Sequence, residues 1–310
     1  MLIIDAHCDT ALSLLDLKAD LYENKCHIDL KRLLEPGPRV QFFAAFANPS
    51  KYKNSSLTRV LSIIDYMYRA EEKNKDKLSI CLKAQDIENA VSCGKVAALL
   101  SIEGGEALNG ELSVLRQLYR IGVRSMLLAW NHRNLLADGA MEKYGAGLSE
   151  FGRLVVAEMN RLGMIVDVSH LCEASFQDVL ELSSKPLIAS HSNAKVLCGH
   201  PRNLTDSQLS DIKNNGGVVG INFYPYFLNN TEKASIEDVV RHIEHICSVT
   251  GEEHIGIGTD YDGIECTPDE LEDTSCIPTL FDRLSQLNYS SSFLEKFAGL
   301  NFLRVIKKVL

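Results

Sequence analysis

Short apolar runs of strand length recur along the chain, each followed by a longer stretch with helical spacing. They are LIIDAHCD (2–9), VQFFAAFA (40–47), VAALLSIE (96–103), VRSMLLAW (123–130), MIVDVSH (164–170), LIASHS (187–192), GVVGINF (217–223) and HIGIGTD (254–260). Their apolar residues are nearly continuous rather than alternating, the pattern of parallel strands covered by helices. Between them, Thr205 with Gln208, Ser235 with Asp238 and Ser292 with Glu295 have capping-box spacing. Leu148, Phe151, Leu154, Val155, Met159 and Leu162 share one helical face, closed by Gly163. Residues 50–95 form a polar, mostly helical excursion between the second and third strands. No repeat, low-complexity tract or Pro/Gly-rich linker divides the chain. Eight strand–helix units over residues 1–310 therefore predict an α/β fold, a single-domain (β/α)8 TIM-like barrel. A doubly wound open sheet is the alternative, and no GxGxxG or P-loop supports it.

Composition narrows the partners. Of the 310 residues, 45% are hydrophobic and 24% charged, ordinary values for a globular protein. A net charge of -9 argues against nucleic acid, whose phosphates demand a basic face. MLIIDAHCDT lacks the basic and long apolar regions of a signal peptide. No run approaches the ~18 apolar residues of a membrane span, and FLRVIKKVL reads as an amphipathic helix rather than an anchor tail. The nine cysteines are odd in number, scattered and without a CxxC pair. They read as reduced thiols, so the expected compartment is cytoplasmic.

The polar residues that interrupt this pattern fall at strand ends. The first strand ends in His7 and Asp9, the third in Glu103, the fifth in His170, the sixth in His191 and the eighth in Asp260. In a barrel the C-terminal strand ends converge on one mouth, so these six groups meet there. Residues i and i+2 of a strand share a face, so His7 and Asp9 can chelate one cation together. Imidazole and carboxylate donors suit zinc or a similar divalent ion. Glu103 has two oxygens and can bridge to a second ion held by His170 and His191. Two ions about 3.5–4 Å apart would activate a water and polarise a carbonyl, the chemistry of a hydrolase. HxD alone is a weak signal, and one histidine at a strand end is usually structural. Several at successive strand ends are harder to explain that way, because burying unpaired polar groups costs several kcal/mol each. His242, His245, His27, His200 and His254 read as solvated surface residues.

The motifs DAHCD (5–9), SIEGGEAL (101–108), DVSHL (167–171), ASHSN (189–193), HPRN (200–203) and GTDYDG (258–263) resemble those of the membrane (renal-type) dipeptidase family, in the same order over the whole chain. The resemblance implies a binuclear zinc centre, with His7 and Asp9 on one ion, His170 and His191 on the other, and Glu103 bridging. It further implies that Arg202 binds the substrate's C-terminal carboxylate, and that Asp260 holds the amino end or passes the water's proton to the leaving amine. An Arg fork matches a carboxylate bidentately, so the role assigned to Arg202 is physically sensible.

The chain departs from its surface-anchored relatives in lacking their signal peptide and lipid-anchor tail, which resembles a soluble microbial member. Those relatives also place a carbonyl-polarising histidine after the fourth strand, in a segment aligning with LAWNHRNLLAD (128–138). Here that position is Trp130, and His132 is expected to supply the missing donor if the strand continues that far. The expected activity is zinc-dependent hydrolysis of dipeptides by a metal-bridging hydroxide, with two Zn²⁺ per chain. The alternatives are a binuclear amidohydrolase acting on N-acyl amino acids, cyclic amides or lactams, and a silent barrel used for binding. The expected partner is a small amide substrate, with neither nucleic acid nor membrane; the resemblance also suggests a homodimer.

Overall fold

The computed structural model describes residues 1–35 and 37–310. Its strands are β1 (Ile3–Asp5), β2 (Arg39–Phe46), β3 (Leu78–Ile80), β4 (Val96–Glu103), β5 (Val123–Leu127), β6 (Ile165–Asp167), β7 (Ile188–Ala189), β8 (Val218–Ile221) and β9 (Ile255–Ile257). All but β3 close into a parallel barrel in the order β2-β1-β9-β8-β7-β6-β5-β4, with β4 pairing back onto β2. Helices fill the connections, as the apolar character of the strands requires.

Every one of the eight expected runs contains a barrel strand, though most strands stop short of the run's end. β3 was not expected. It lies inside the helical excursion, between helices Ser56–Lys73 and Ala84–Ser92, and pairs with the first half of β4. The second half of that edge of β4 receives β5. Three residues within a polar segment leave too little periodicity to recognise.

Two packing layers result. Ile4, Val40, Phe42, Leu99, Ile165, Ile188 and Val218 pack together inside the barrel, and Phe302, Val305 and Ile306 of the last helix (Asn301–Val309) join them. On β4, Ala97 and Leu99 belong to this plug, while Ser101 and Glu103 continue the same face toward the C-terminal mouth. The barrel interior is thus apolar at one end and polar at the other.

Local details correct the sequence reading in three places. The capping boxes at Thr205/Gln208 and Ser235/Asp238 form, but the helix Ser291–Glu295 is capped by Ser290, whose side chain accepts from the Phe293 N–H. Leu154 faces solvent on Glu150–Leu162, because Gly152, Val155, Val156 and Met159 form the buried face. His242 is buried rather than solvated: its Nδ1 accepts from the Ala194 N–H and its Nε2 donates to the Leu228 carbonyl. His27, His200, His245 and His254 are half-buried.

The polar end is crowded. A Cβ on Gly258 would lie 1.7 Å from the Ser190 carbonyl oxygen, and one on Gly220 would lie 2.0 Å from it. Three strand ends therefore approach closely around Ser190, next to His191. Gly258→Ala should cost about 1–3 kcal/mol by overpacking. A melting-temperature fall of several degrees in thermal denaturation checks it, and an unchanged melting temperature counts against this packing.

Candidate metal centre and active site

Two buried carboxylates at the ends of β1 and β6 arrange the mouth. Asp5 accepts from the His7 N–H (3.3 Å), the Thr259 N–H (3.0 Å) and the Thr259 hydroxyl (2.8 Å), tying the end of β1 to that of β9. Asp167 accepts from the Ser169 N–H (3.0 Å) and the Ser190 N–H (3.1 Å), tying β6 to β7. The first staple fixes the segments carrying His7, Asp9 and Asp260; the second fixes those carrying His170 and His191. The sequence reading assigned neither aspartate a role. The signal was available, since both DAH and DVSH place an Asp shortly before a candidate ligand.

Beyond the staples, the six groups expected at the strand ends do converge, each at most 8% exposed. His7 Nε2 lies 3.4 Å from Asp9 Oδ2, 3.4 Å from Glu103 Oε2 and 3.7 Å from Asp260 Oδ1. The other oxygen of Glu103, Oε1, lies 3.0 Å from His170 Nε2, which is 2.9 Å from His191 Nε2. Donor atoms of His7, Asp9 and Glu103 lie within 4.8 Å of one another, as do those of Glu103, His170 and His191. Glu103 belongs to both groups and turns one oxygen toward each. His170 and Asp260 reach their positions through left-handed backbone, φ 69° and 63°. For residues other than glycine such strain costs on the order of 1–3 kcal/mol and clusters at functional sites.

The electrostatics fit a metal. Burial pushes Asp260 up to about 7, with Asp9 and Glu103 adding to the effect and His7 opposing it. Asp9 rises to about 6, through burial and then Glu103. Burial works to raise Glu103 as well, but the adjoining His170 and His7 imidazoles hold it below its ordinary value. His7 is buried yet drawn upward by Asp9 and Glu103. Burial lowers His170 to about 3, helped by Arg202, and takes His191 well below its ordinary value. Imidazoles packed beside carboxylates that compete for positive charge are the donor set of a divalent cation. Both ring nitrogens of His7 and Asp9 Oδ1 are sealed from solvent with no hydrogen-bond partner among the described residues. His170 Nδ1 bonds Asn131 Oδ1 (3.0 Å) and His191 Nδ1 bonds Ser190 Oγ (2.8 Å), the outer contacts that orient metal-binding imidazoles.

A cavity of ≈ 360 Å³ opens onto this cluster, its walls including Asp9, Phe46, Glu103, Trp130, Asn131, His170 and Asp260. A second, of ≈ 330 Å³, shares His170 and is lined by Arg202. Arg202 is buried, its Nη2 donating to the His191 carbonyl (3.3 Å) and its guanidinium lying over Phe227 (5.5 Å). Asp260 Oδ2 accepts from Asn222 Nδ2 (2.8 Å), which leaves Oδ1 toward His7 and the cavity. His132 is a correction. Its side chain is 69% exposed, near Glu142 (3.4 Å), and it is absent from the lining of both cavities. β5 ends at Leu127, and the chain turns before the extended alternation could bring His132 onto the face of Trp130.

Three carboxylates crowded around imidazoles should be markedly less stable without a cation. Stripping divalent ions with a chelator should lower the melting temperature, and returning them should restore it. A ligand at 1,000 times its dissociation constant contributes about 4 kcal/mol. Identical melting curves before and after stripping would contradict a metal at this cluster.

Comparison with known proteins agrees with the geometry. The model of the family described as membrane dipeptidase (peptidase family M19) matches residues 1–310. Dipeptidase tcpJ of Claviceps purpurea is 37% identical over 91% of this chain and 69% of its own length. A dipeptidase of Schizosaccharomyces pombe, described as uncharacterised, is 38% identical over 98% of this chain and 80% of its own. A metallo peptidase from Rhodobacter sphaeroides, solved with a phosphinate mimic of the dipeptide L-Ala-D-Ala, superimposes with a TM-score of 0.94 at 28% identity, covering 100% of this chain and 99% of that one. The chain belongs to the membrane dipeptidase family, peptidase family M19, and is a metal-dependent dipeptidase.

Proposed function

We propose that the chain hydrolyses free dipeptides at a centre of two zinc ions. His7 and Asp9 would hold one ion, His170 and His191 the other, and Glu103 would bridge them. The observation that carries this reading is the placement of the two Glu103 oxygens, one toward His7 and one toward His170. When bound, the ions supply a nucleophilic water at neutral pH and a polarising charge on the scissile carbonyl.

The remaining groups sort by position. Arg202 pairs with the C-terminal carboxylate, seating that residue in the cavity it lines, while the N-terminal residue occupies the larger cavity. The two cavities share His170, so the scissile bond lies beside it. Asp260, anchored through one oxygen by Asn222, takes the proton of the attacking water with the other and delivers it to the departing nitrogen. The C–N bond then breaks to release two amino acids. Nine free cysteines fit a reducing, cytoplasmic compartment, and no described helix is long and apolar enough to cross a membrane.

The carboxylate role separates this reading from amidohydrolases that need no free terminus. Arg202→Ala should cost ~2–5 kcal/mol in kcat/KM on a dipeptide, the typical penalty of leaving a desolvated charge unpaired. The loss should be much smaller on the C-terminally amidated dipeptide. Steady-state kinetics on the matched pair decide it, and equal losses on both substrates remove Arg202 from this role.

A further inference from the structure

Trp130 stands at the position where the resemblance to surface-anchored members of the family implies a carbonyl-polarising histidine, and His132 is exposed. The intervening residue does enter the site. Asn131 lines the larger cavity together with Glu103, His170 and Asp260. Its backbone is fixed from outside: the Asn131 carbonyl accepts from the Met141 N–H (2.9 Å), and the Ala140 N–H donates to the His170 carbonyl. Gly139 makes this approach possible, since a Cβ there would lie 2.1 Å from the Trp130 carbonyl oxygen. One short segment thus braces Asn131 against His170.

The amide orientation follows from chemistry. Asn131 has one acceptor oxygen and two N–H donors on its side chain. His170 Nε2 faces Glu103 Oε1 and His191 Nε2, the position of a metal donor, so the ring proton belongs on Nδ1. Nδ1–H then requires an acceptor, and Oδ1 of Asn131 lies 3.0 Å away. With the oxygen committed, the NH₂ group is bonded to no acceptor among the described residues. It belongs to a side chain on the cavity wall, beside the metal-binding groups. Trp130 contributes an aromatic surface there, 5.2 Å from Phe46 and 6.5 Å from the His170 ring.

We infer that the Asn131 carboxamide donates the hydrogen bond to the scissile carbonyl oxygen, while its own oxygen fixes the tautomer of His170. As the water oxygen adds to the carbonyl carbon, the C=O π pair moves onto oxygen, and the Nδ2–H stabilises the charge that develops there. This inference rests on the two-zinc dipeptidase reading above.

Two substitutions separate the roles. Asn131→Asp keeps an acceptor for His170 and loses the donor. It should load two zinc ions like the wild type, yet lose about 10²–10³-fold in kcat, the usual effect of removing an oxyanion donor. Its calorimetric affinity for a phosphinate dipeptide mimic, which imitates the charged tetrahedral state, should fall in parallel. Asn131→Ala should show the same kinetic loss and in addition bind zinc about 10–100-fold more weakly, because the outer contact to His170 is gone. His132→Ala should leave kcat, zinc content and phosphinate affinity unchanged. A zinc-loaded Asn131→Asp with wild-type kcat and phosphinate affinity would overturn the assignment; so would its failure to load zinc, which would mean that the amide presents its nitrogen to His170. If the wild type itself holds fewer than two zinc ions or leaves dipeptides intact, the underlying functional reading fails instead.

Discussion

Three carboxylates and three imidazoles buried at one end of a barrel demand compensating positive charge, and the local architecture serves that demand. Asp9, Glu103 and Asp260, all buried, would repel one another when ionised. Protons or cations must sit among them. Glu103 matters most because its oxygens face different partners, His7 on one side and His170 on the other. A carboxylate held this way joins two donor groups into a single centre, and the remaining ligands can be understood by which oxygen they accompany.

The barrel makes such a concentration affordable by separating its interior into zones. An apolar plug from six strands and the last helix packs the lower end, supplying cohesion that does not depend on the site. Above it, Asp5 and Asp167 each collect donors from two neighbouring strand ends. Glycines 220 and 258 let those ends approach the Ser190 carbonyl. The ligands are therefore held by short, buried contacts between adjacent strands, and the left-handed conformations of His170 and Asp260 are supported by this frame. The groups proposed to face substrate, Arg202 and Asn131, sit on the connections after the strands, and Asn131 remains tied to the centre through His170.

Much of this was legible in the sequence, and the reasons differ by element. The barrel strands announced themselves because their apolar runs are nearly continuous, and half of them end in His, Asp or Glu; VAALLSIE coincides with β4 to the residue. The six groups that converge at the mouth were readable because they stand at or near the ends of such runs. β3 escaped notice because three residues carry no period, and His242 because a polar helix can still turn one imidazole inward onto backbone groups. His132 was misread by extending strand alternation beyond Leu127, where the backbone leaves the ladder. Asn131 shows a different limit: it is placed by its bond to His170, and a partner distant in sequence is invisible until the chain is folded.

The central claim is that one carboxylate joins two metal sites. Crystals of the zinc-loaded protein, measured at the zinc absorption edge, test it directly through anomalous scattering. The account predicts two peaks about 3.5–4 Å apart, as in binuclear hydrolytic centres, with one Glu103 oxygen on each. A single peak, or two peaks of which only one touches Glu103, would contradict it.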